Sequence, residues 1–100
     1  VKTTVSAWRG GTYGIRFSKD DRDAFVDRDA KSVKVVLAGW AGPSRVKVSK
    51  SFWKKCPQLR SAEIGRWLKA RALAPWPEGR PPKLVVTRWP GESVLYVEPE

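Results

Sequence analysis

Six short runs rich in β-branched and aromatic residues, each closed by glycine, proline or a polar cluster, commit most of this chain to hairpins. Lys2 to Trp8 (KTTVSAW) reads as a strand, and Arg9-Gly10-Gly11-Thr12 as a turn with a cation at its tip. Tyr13 to Phe17 pairs back, with Tyr13, Ile15 and Phe17 on one face and Arg16 on the other. Lys31 to Ala38 sets Val33, Val35 and Leu37 on one face, Gly39 to Pro43 closes a hairpin, and Arg45 to Ser51 returns with Val46 and Val48 aligned. Lys83 to Trp89 and Ser93 to Val97 form a last hairpin around Pro90-Gly91. Its inward set is expected to be Leu84, Val86, Val94 and Tyr96, with Val85, Leu95 and Val97 competing for that face.

Two helices interrupt the strands. Ser18 is placed to cap a helix from Lys19 to about Asp27, with Asp21 three residues on and Asp20, Asp21 and Asp23 at the positive end of the helix dipole. That helix buries Phe25 and either Ala24 or Val26. After the break at Pro57, Ser61 caps a second helix on which Ile64, Trp67 and Leu68 share a face, while Arg66, Lys69 and Arg71 take the other. Between the helix and the last hairpin, four prolines in residues 74–82 exclude regular structure and leave a rigid connector, with Trp76 pinned to the core. The expected order is β-β-α-β-β-α-β-β. Hairpins of this length curl into an open antiparallel barrel, mostly β, whose two short helices plug or flank its ends. One hundred residues make a single domain over positions 1–100.

Charge narrows the partner. The chain carries twenty Lys and Arg against ten acids, a formal net charge of +10. From Ala30 to Pro90 there are fourteen cations and only two acids, Glu63 and Glu78. A field of one sign over part of a surface draws in anionic partners. Cys56 is the single cysteine, so no intramolecular disulfide forms and a reducing, intracellular setting is expected. No apolar run is long enough to span a bilayer. Because the first residue is Val1 rather than Met, the chain is expected to be processed or excised from something longer.

Catalysis is poorly provided for. There is no histidine, which removes the usual general acid–base carrier near neutral pH, the partner of a thiol nucleophile and the common zinc sites. Cys56 beside Lys54 and Lys55 reads as incidental. Asp27-Arg28-Asp29-Ala30-Lys31 contains an acid-x-Lys triplet of the sort seen in metal-dependent nucleases, without a partner acid on a preceding strand. No enzyme activity, metal or cofactor is expected. What remains is binding: Lys47, Ser49, Lys50, Ser51, Lys54, Lys55, Gln58 and Arg60 combine phosphate-neutralising cations with hydroxyl donors. Gln58 and Arg60 are also capable of bidentate contacts to base edges. Trp67 is assigned to the core, and so is Trp53, which would otherwise stack on a base.

Leu59 to Leu73 (LRSAEIGRWLKARAL) resembles a segment of the DNA-binding pseudobarrel superfamily, which includes the DNA-binding domain of plant auxin-response factors and effector-binding domains of some restriction endonucleases. The matching positions are Leu59, Ile64-Gly65, Trp67, Leu68 and Leu73. Gly14-Ile15-Arg16-Phe17-Ser18-Lys19, running into a helix, is similar to the family's apolar strand that ends at a polar residue and Lys. The plant pattern's Gly-Asp after the second helix is replaced by Trp76-Pro77-Glu78-Gly79, which points to the superfamily at large rather than to that branch. The resemblance implies a barrel that grips the major groove with two arms. One is the loop joining the first two strands, here Trp8, Arg9, Gly10, Gly11, Thr12 and Tyr13. The other is the loop before the second helix, here Ser51 through Gln58. Double-stranded DNA is therefore the expected partner, in a restriction enzyme or a transcription regulator. The alternatives are a single-stranded DNA or RNA binder stacking bases on Tyr13, Trp53 and Trp89, and a basic module that docks an acidic protein.

Overall fold

The computed structural model describes residues 2–10, 12–89 and 91–100. Seven strands form one mixed sheet in the order β4-β3-β7-β6-β1-β2-β5. The strands are β1 (Lys2–Arg9), β2 (Tyr13–Arg16), β3 (Ser32–Leu37), β4 (Ser44–Lys47), β5 (Gln58–Arg60), β6 (Lys83–Arg88) and β7 (Val94–Pro99). Three helices accompany them: α1 (Lys19–Phe25), α2 (Lys50–Lys54) and α3 (Ala62–Ala70). The two ends of the sheet, β4 and β5, lie alongside each other without a hydrogen-bonded ladder, so the sheet is nearly closed into a barrel.

Three expectations are corrected here. The sheet is not wholly antiparallel, because β7 enters between β6 and β3 and runs parallel to β3, with Val35 opposite Leu95. Both strands start from the end of the barrel where α1 and the β6–β7 turn lie, so they point the same way. Secondly, Arg45 to Ser51 is not one strand. The chain leaves β4 at Lys47 and winds one helical turn, α2, which drives Phe52 fully into the core. Pro57 then fixes an extended φ and its carbonyl accepts from Phe17 N–H, which starts the short strand β5 against β2. Thirdly, the competing set wins on β7: Leu95 and Val97 are buried, Val97 opposite Val86 and Leu95 opposite Arg88, while Tyr96 is exposed. Register decided that, since a shift of one residue exchanges the two faces of a strand.

The caps and core positions of the other two helices follow the pattern. Ser18 Oγ accepts from Asp21 N–H, and Ser61 Oγ accepts from Glu63 and Ile64 N–H. The first helix is shorter than expected, ending at Phe25, with Phe25 and Val26 buried and Ala24 exposed. Trp67, Ile64 and Leu68 are buried beneath α3. The Trp67 indole N–H also donates to the Ala38 carbonyl at 2.8 Å, and the Arg71 guanidinium reaches the same oxygen at 2.6 Å. Trp40 Nε1–H donates to Glu63 at 2.6 Å. Together these bonds seat α3 over the barrel end that carries the β1–β2 turn and the β3–β4 hairpin. The opposite end is covered by α1 and α2. Arg88 locks α1 to the β6–β7 turn through the Asp27 carboxylate (2.8 Å) and the Ala24 and Glu92 carbonyls.

Replacing Trp67 with Ala removes both its buried volume and its bond to Ala38. The expected loss is about 3–5 kcal/mol of unfolding free energy, read as a lowered urea midpoint.

Candidate nucleic-acid interface

The outer face of β1, β2 and β5 is built by a register in which every inward neighbour is apolar. Ala7, Ile15 and Leu59 are buried side by side, so Trp8, Arg16, Gln58 and Arg60 point outward. The β2–β5 ladder is prolonged at one end by Ser61 N–H to the Tyr13 carbonyl, and at the other by Phe17 N–H to the Pro57 carbonyl. Gly14 stands near its α3 end, opposite Trp8 on one side and Arg60 on the other. A side chain there would run into the Leu59 carbonyl and the backbone of Arg60. Its absence lets Arg60 reach across to lie 5.3 Å over the Trp8 ring. That cation–π contact holds the Arg60 guanidinium against the ring, and among the described residues the guanidinium donates no hydrogen bond to the protein.

The expected first arm lies at the α3 end of this face. Trp8 and Tyr13 are half-buried, while Arg9, Gly10 and Thr12 are exposed; Gly11 lies outside the described residues. Tyr13 is held edge-on by Trp76 at 5.5 Å, with Arg9 (5.8 Å) and Lys69 (5.5 Å) over its ring. Lys69 was not among the expected contacts. Its place on the polar side of α3, one residue beyond Leu68, is the signal that would have found it.

The expected second arm is not a loop. Ser51 and Lys54 lie on α2, Lys55 caps it, Cys56 and Pro57 connect, and Gln58 already belongs to β5. Ser49 is the N-cap residue, and its hydroxyl sits 3.1 Å from that of Ser51. Lys50 opens the helix, and Lys47 ends β4. What fixes α2 is Trp53, half-buried between the guanidinium groups of Arg22 (5.3 Å) and Arg28 (4.8 Å), with Arg22 also donating to its carbonyl. Trp53 is thus half-buried at the edge of the core, against Phe52, and clamped by those two cations, while Lys54 and Lys55 are exposed at the Phe17–Pro57 end of the ladder.

The two groups are therefore set apart along the β2–β5 ladder. The ladder between them, from Tyr13 to Phe17, is four residue steps long, about 13 Å at the usual rise per residue. Arg16, Gln58 and Arg60 fill the gap. Arg16 is another residue that the sequence assigned only to an outward face. Strands β1, β2 and β5 contain no acid. Among the described residues, Arg9, Arg16, Lys54, Lys55 and Arg60 form no ion pair, the three salt bridges being Arg22–Asp23, Arg66–Glu63 and Arg88–Asp27.

Several of the acids are occupied elsewhere. Asp20 and Asp21 sit in the first turn of α1, where Asp21 also accepts from the Thr3 hydroxyl at 2.9 Å. Asp27, the first acid of the acid-x-Lys region, is taken up by Arg88 and Ser93. The Arg88 hydrogen bond and charge, followed by the Ser93 hydroxyl, hold the Asp27 carboxyl below the usual aspartate range. Arg66 and then the Trp40 indole do the same for Glu63. No group of three or more potential metal ligands occurs among the described residues. No helix among them is long and apolar enough to cross a membrane. Beside Trp8 lies a cleft of about 580 Å³, walled on one side by β1 and Arg16 and on the other by the proline-rich connector. No family model, curated protein or solved structure matches the chain.

A carboxyl whose folded pKa is depressed adds stability above its unfolded pKa, and that contribution is lost as pH falls through the folded value. Asp27 and Glu63 are thus expected to titrate below free Asp and Glu in a carboxyl-detected NMR titration. Arg88→Gln should return Asp27 toward its ordinary value while leaving Glu63 where it was.

Proposed function

We propose that this domain binds double-stranded DNA along the outer face of β1, β2 and β5. The observation that carries the reading is that β1, β2 and β5 contain no acid, and that Arg16 and Arg60 on their outer face, with Arg9 at one end and the Lys54–Lys55 pair beyond the other, form no ion pair among the described residues. Like charges gathered without partners cost stability in the free protein, and a polyanion relieves that cost by releasing its own counterions. The ladder itself, roughly 13 Å long, is close to the width of a major groove, about 12 Å, and the cationic groups lie beyond its two ends. A duplex whose groove crosses the ladder would meet Arg60 and Gln58 at base edges. The two flanking groups, Arg9 with Thr12 and Lys54 with Lys55, would take the phosphates on either side.

This arrangement is in keeping with the pseudobarrel resemblance, with one change. The second grip comes from a helical turn and the start of β5 rather than from a loop. A role in a restriction enzyme or a transcription regulator belongs to the same proposal.

The single-stranded alternative draws less support from the aromatic residues. Tyr13 is covered by Trp76 and two cations, and Trp53 is enclosed by two arginines. Trp89 is 60% exposed, but it lies at the end of β6, off the β1–β2–β5 face.

Titrating a labelled duplex by fluorescence anisotropy tests the proposal. With about six phosphate contacts, log K is expected to fall against log salt with a slope near −5. The double variant Lys54→Glu/Lys55→Glu, both exposed side chains, should abolish binding at moderate salt with an unchanged thermal midpoint. Unchanged affinity in that variant, or tighter binding of a single strand in competition, would remove the reading.

A further inference from the structure

The cleft beside Trp8 lies between residues of the duplex stripe and the proline-rich connector. It opens directly onto the stripe. Trp8, Arg9 and Arg16 form its floor and one side, and Trp76, Glu78 and Pro81 form the other. Its volume of about 580 Å³ falls in the range of small-molecule sites, roughly 300–1,000 Å³.

The far wall is built to stay put. Its four prolines, Pro75, Pro77, Pro81 and Pro82, hold φ near one value. Arg80 N–H donates to the Pro77 carbonyl at 3.0 Å, closing a turn with Gly79 in its third position at φ +78°. That left-handed position suits glycine and gives a type II turn, with Glu78 at its tip. Trp76 is braced against Tyr13, and Ala7 N–H donates to the Pro82 carbonyl, tying the connector back to β1.

Glu78 is the anomaly. It is the only acid lining a cleft that also holds Arg9 and Arg16, yet it forms no ion pair among the described residues. A carboxylate beside a DNA-binding surface repels phosphate, so a phosphate is not what it receives. An ionised carboxylate is a hydrogen-bond acceptor only, so it suits a group that presents N–H donors. Two tryptophans, a hydrogen-bond acceptor and two cations are what a nucleobase turned out of its stack requires: apolar surface for its ring, a partner for its pairing edge, and charge for the flanking phosphates.

We infer that this cleft receives one nucleobase extruded from the bound duplex, with Glu78 selecting a base whose pairing edge presents donors. Guanine fits best, since its N1–H and amino group face a carboxylate together. Thymine fits worst, since its single N3–H is flanked by two carbonyl oxygens that the carboxylate repels. The inference rests on the duplex-binding reading above, because the cleft is fed from that face.

The test uses three labelled duplexes that differ at one position: fully paired, guanine opposite an abasic site, and thymine opposite an abasic site. The abasic partner removes the pairing that extrusion has to break. The guanine duplex is expected to bind about tenfold tighter than the paired one, with thymine gaining less than about threefold. Glu78→Ala, at an exposed turn, should erase the difference between guanine and thymine. Trp76→Ala should remove the gain for both. In ¹⁵N-labelled protein, the two indole N–H resonances assigned to Trp8 and Trp76 should shift with the guanine duplex and not with the paired one. Equal affinity for all three duplexes, with the paired duplex still bound, overturns the pocket and leaves the duplex interface standing. A guanine preference that survives Glu78→Ala overturns the role of that residue and the inference with it. Failure to bind the paired duplex at low salt removes the interface itself.

Discussion

A three-residue strand holds the candidate interface together. In β5 only Leu59 faces inward, and its complete burial against Ile15 is what orients Gln58 and Arg60 outward. A slip of one residue would bury an arginine and expose a leucine, which costs several kcal/mol for the unpaired charge alone. Two flanking hydrogen bonds, Phe17 to Pro57 and Ser61 to Tyr13, remove the remaining freedom. The same short ladder sets the distance between the two cationic groups at its ends. It also presents Ser61 where α3 begins, so the helix that covers the barrel end starts from a fixed point.

Electrostatics is arranged by subtraction. The acids nearest to cations are drawn into local tasks: Asp20 and Asp21 at the start of α1, Asp27 on Arg88, Glu63 between Arg66 and Trp40. Arginines that serve the fold are spent on carbonyls and rings, as with Arg22 on Trp53 and Arg71 on Ala38. The cations left on β1, β2 and β5 form no ion pair among the described residues. Such a surface is tolerated because its cations are exposed and screened by salt, so their mutual repulsion is small until a polyanion arrives.

Aromatic residues divide in the same manner. Trp67 fills the core and Trp53 acts as a clamp between two arginines, while Trp8 lies flat on the sheet under Arg60 and Trp76 stands on the connector facing the same cleft. Rings that look alike in composition thus serve separate ends, and position in the register tells them apart.

Much of this was legible in the residues themselves. Alternation at Val33, Val35 and Leu37, the serine caps at Ser18 and Ser61, and the spacing of Ile64, Trp67 and Leu68 are local signals, and local physics suffices to read them. The cation excess in the second half was equally plain. Three matters were decided only in three dimensions. The parallel pairing of β3 with β7 depends on where a hairpin sixty residues later docks, which no local pattern encodes. The inward face of β7 was open because Val94 to Val97 are apolar or aromatic throughout, so only pairing with β6 and β3 could choose. The helical turn at Lys50–Lys54 and the strand at Gln58–Arg60 were hidden because each is too short to show a period, and each exists through one buried anchor, Phe52 and Leu59. Amino-acid order alone therefore specified the charge, the caps and most of the core. Tertiary packing specified which cations share a face, because that depends on contacts between segments distant in the chain.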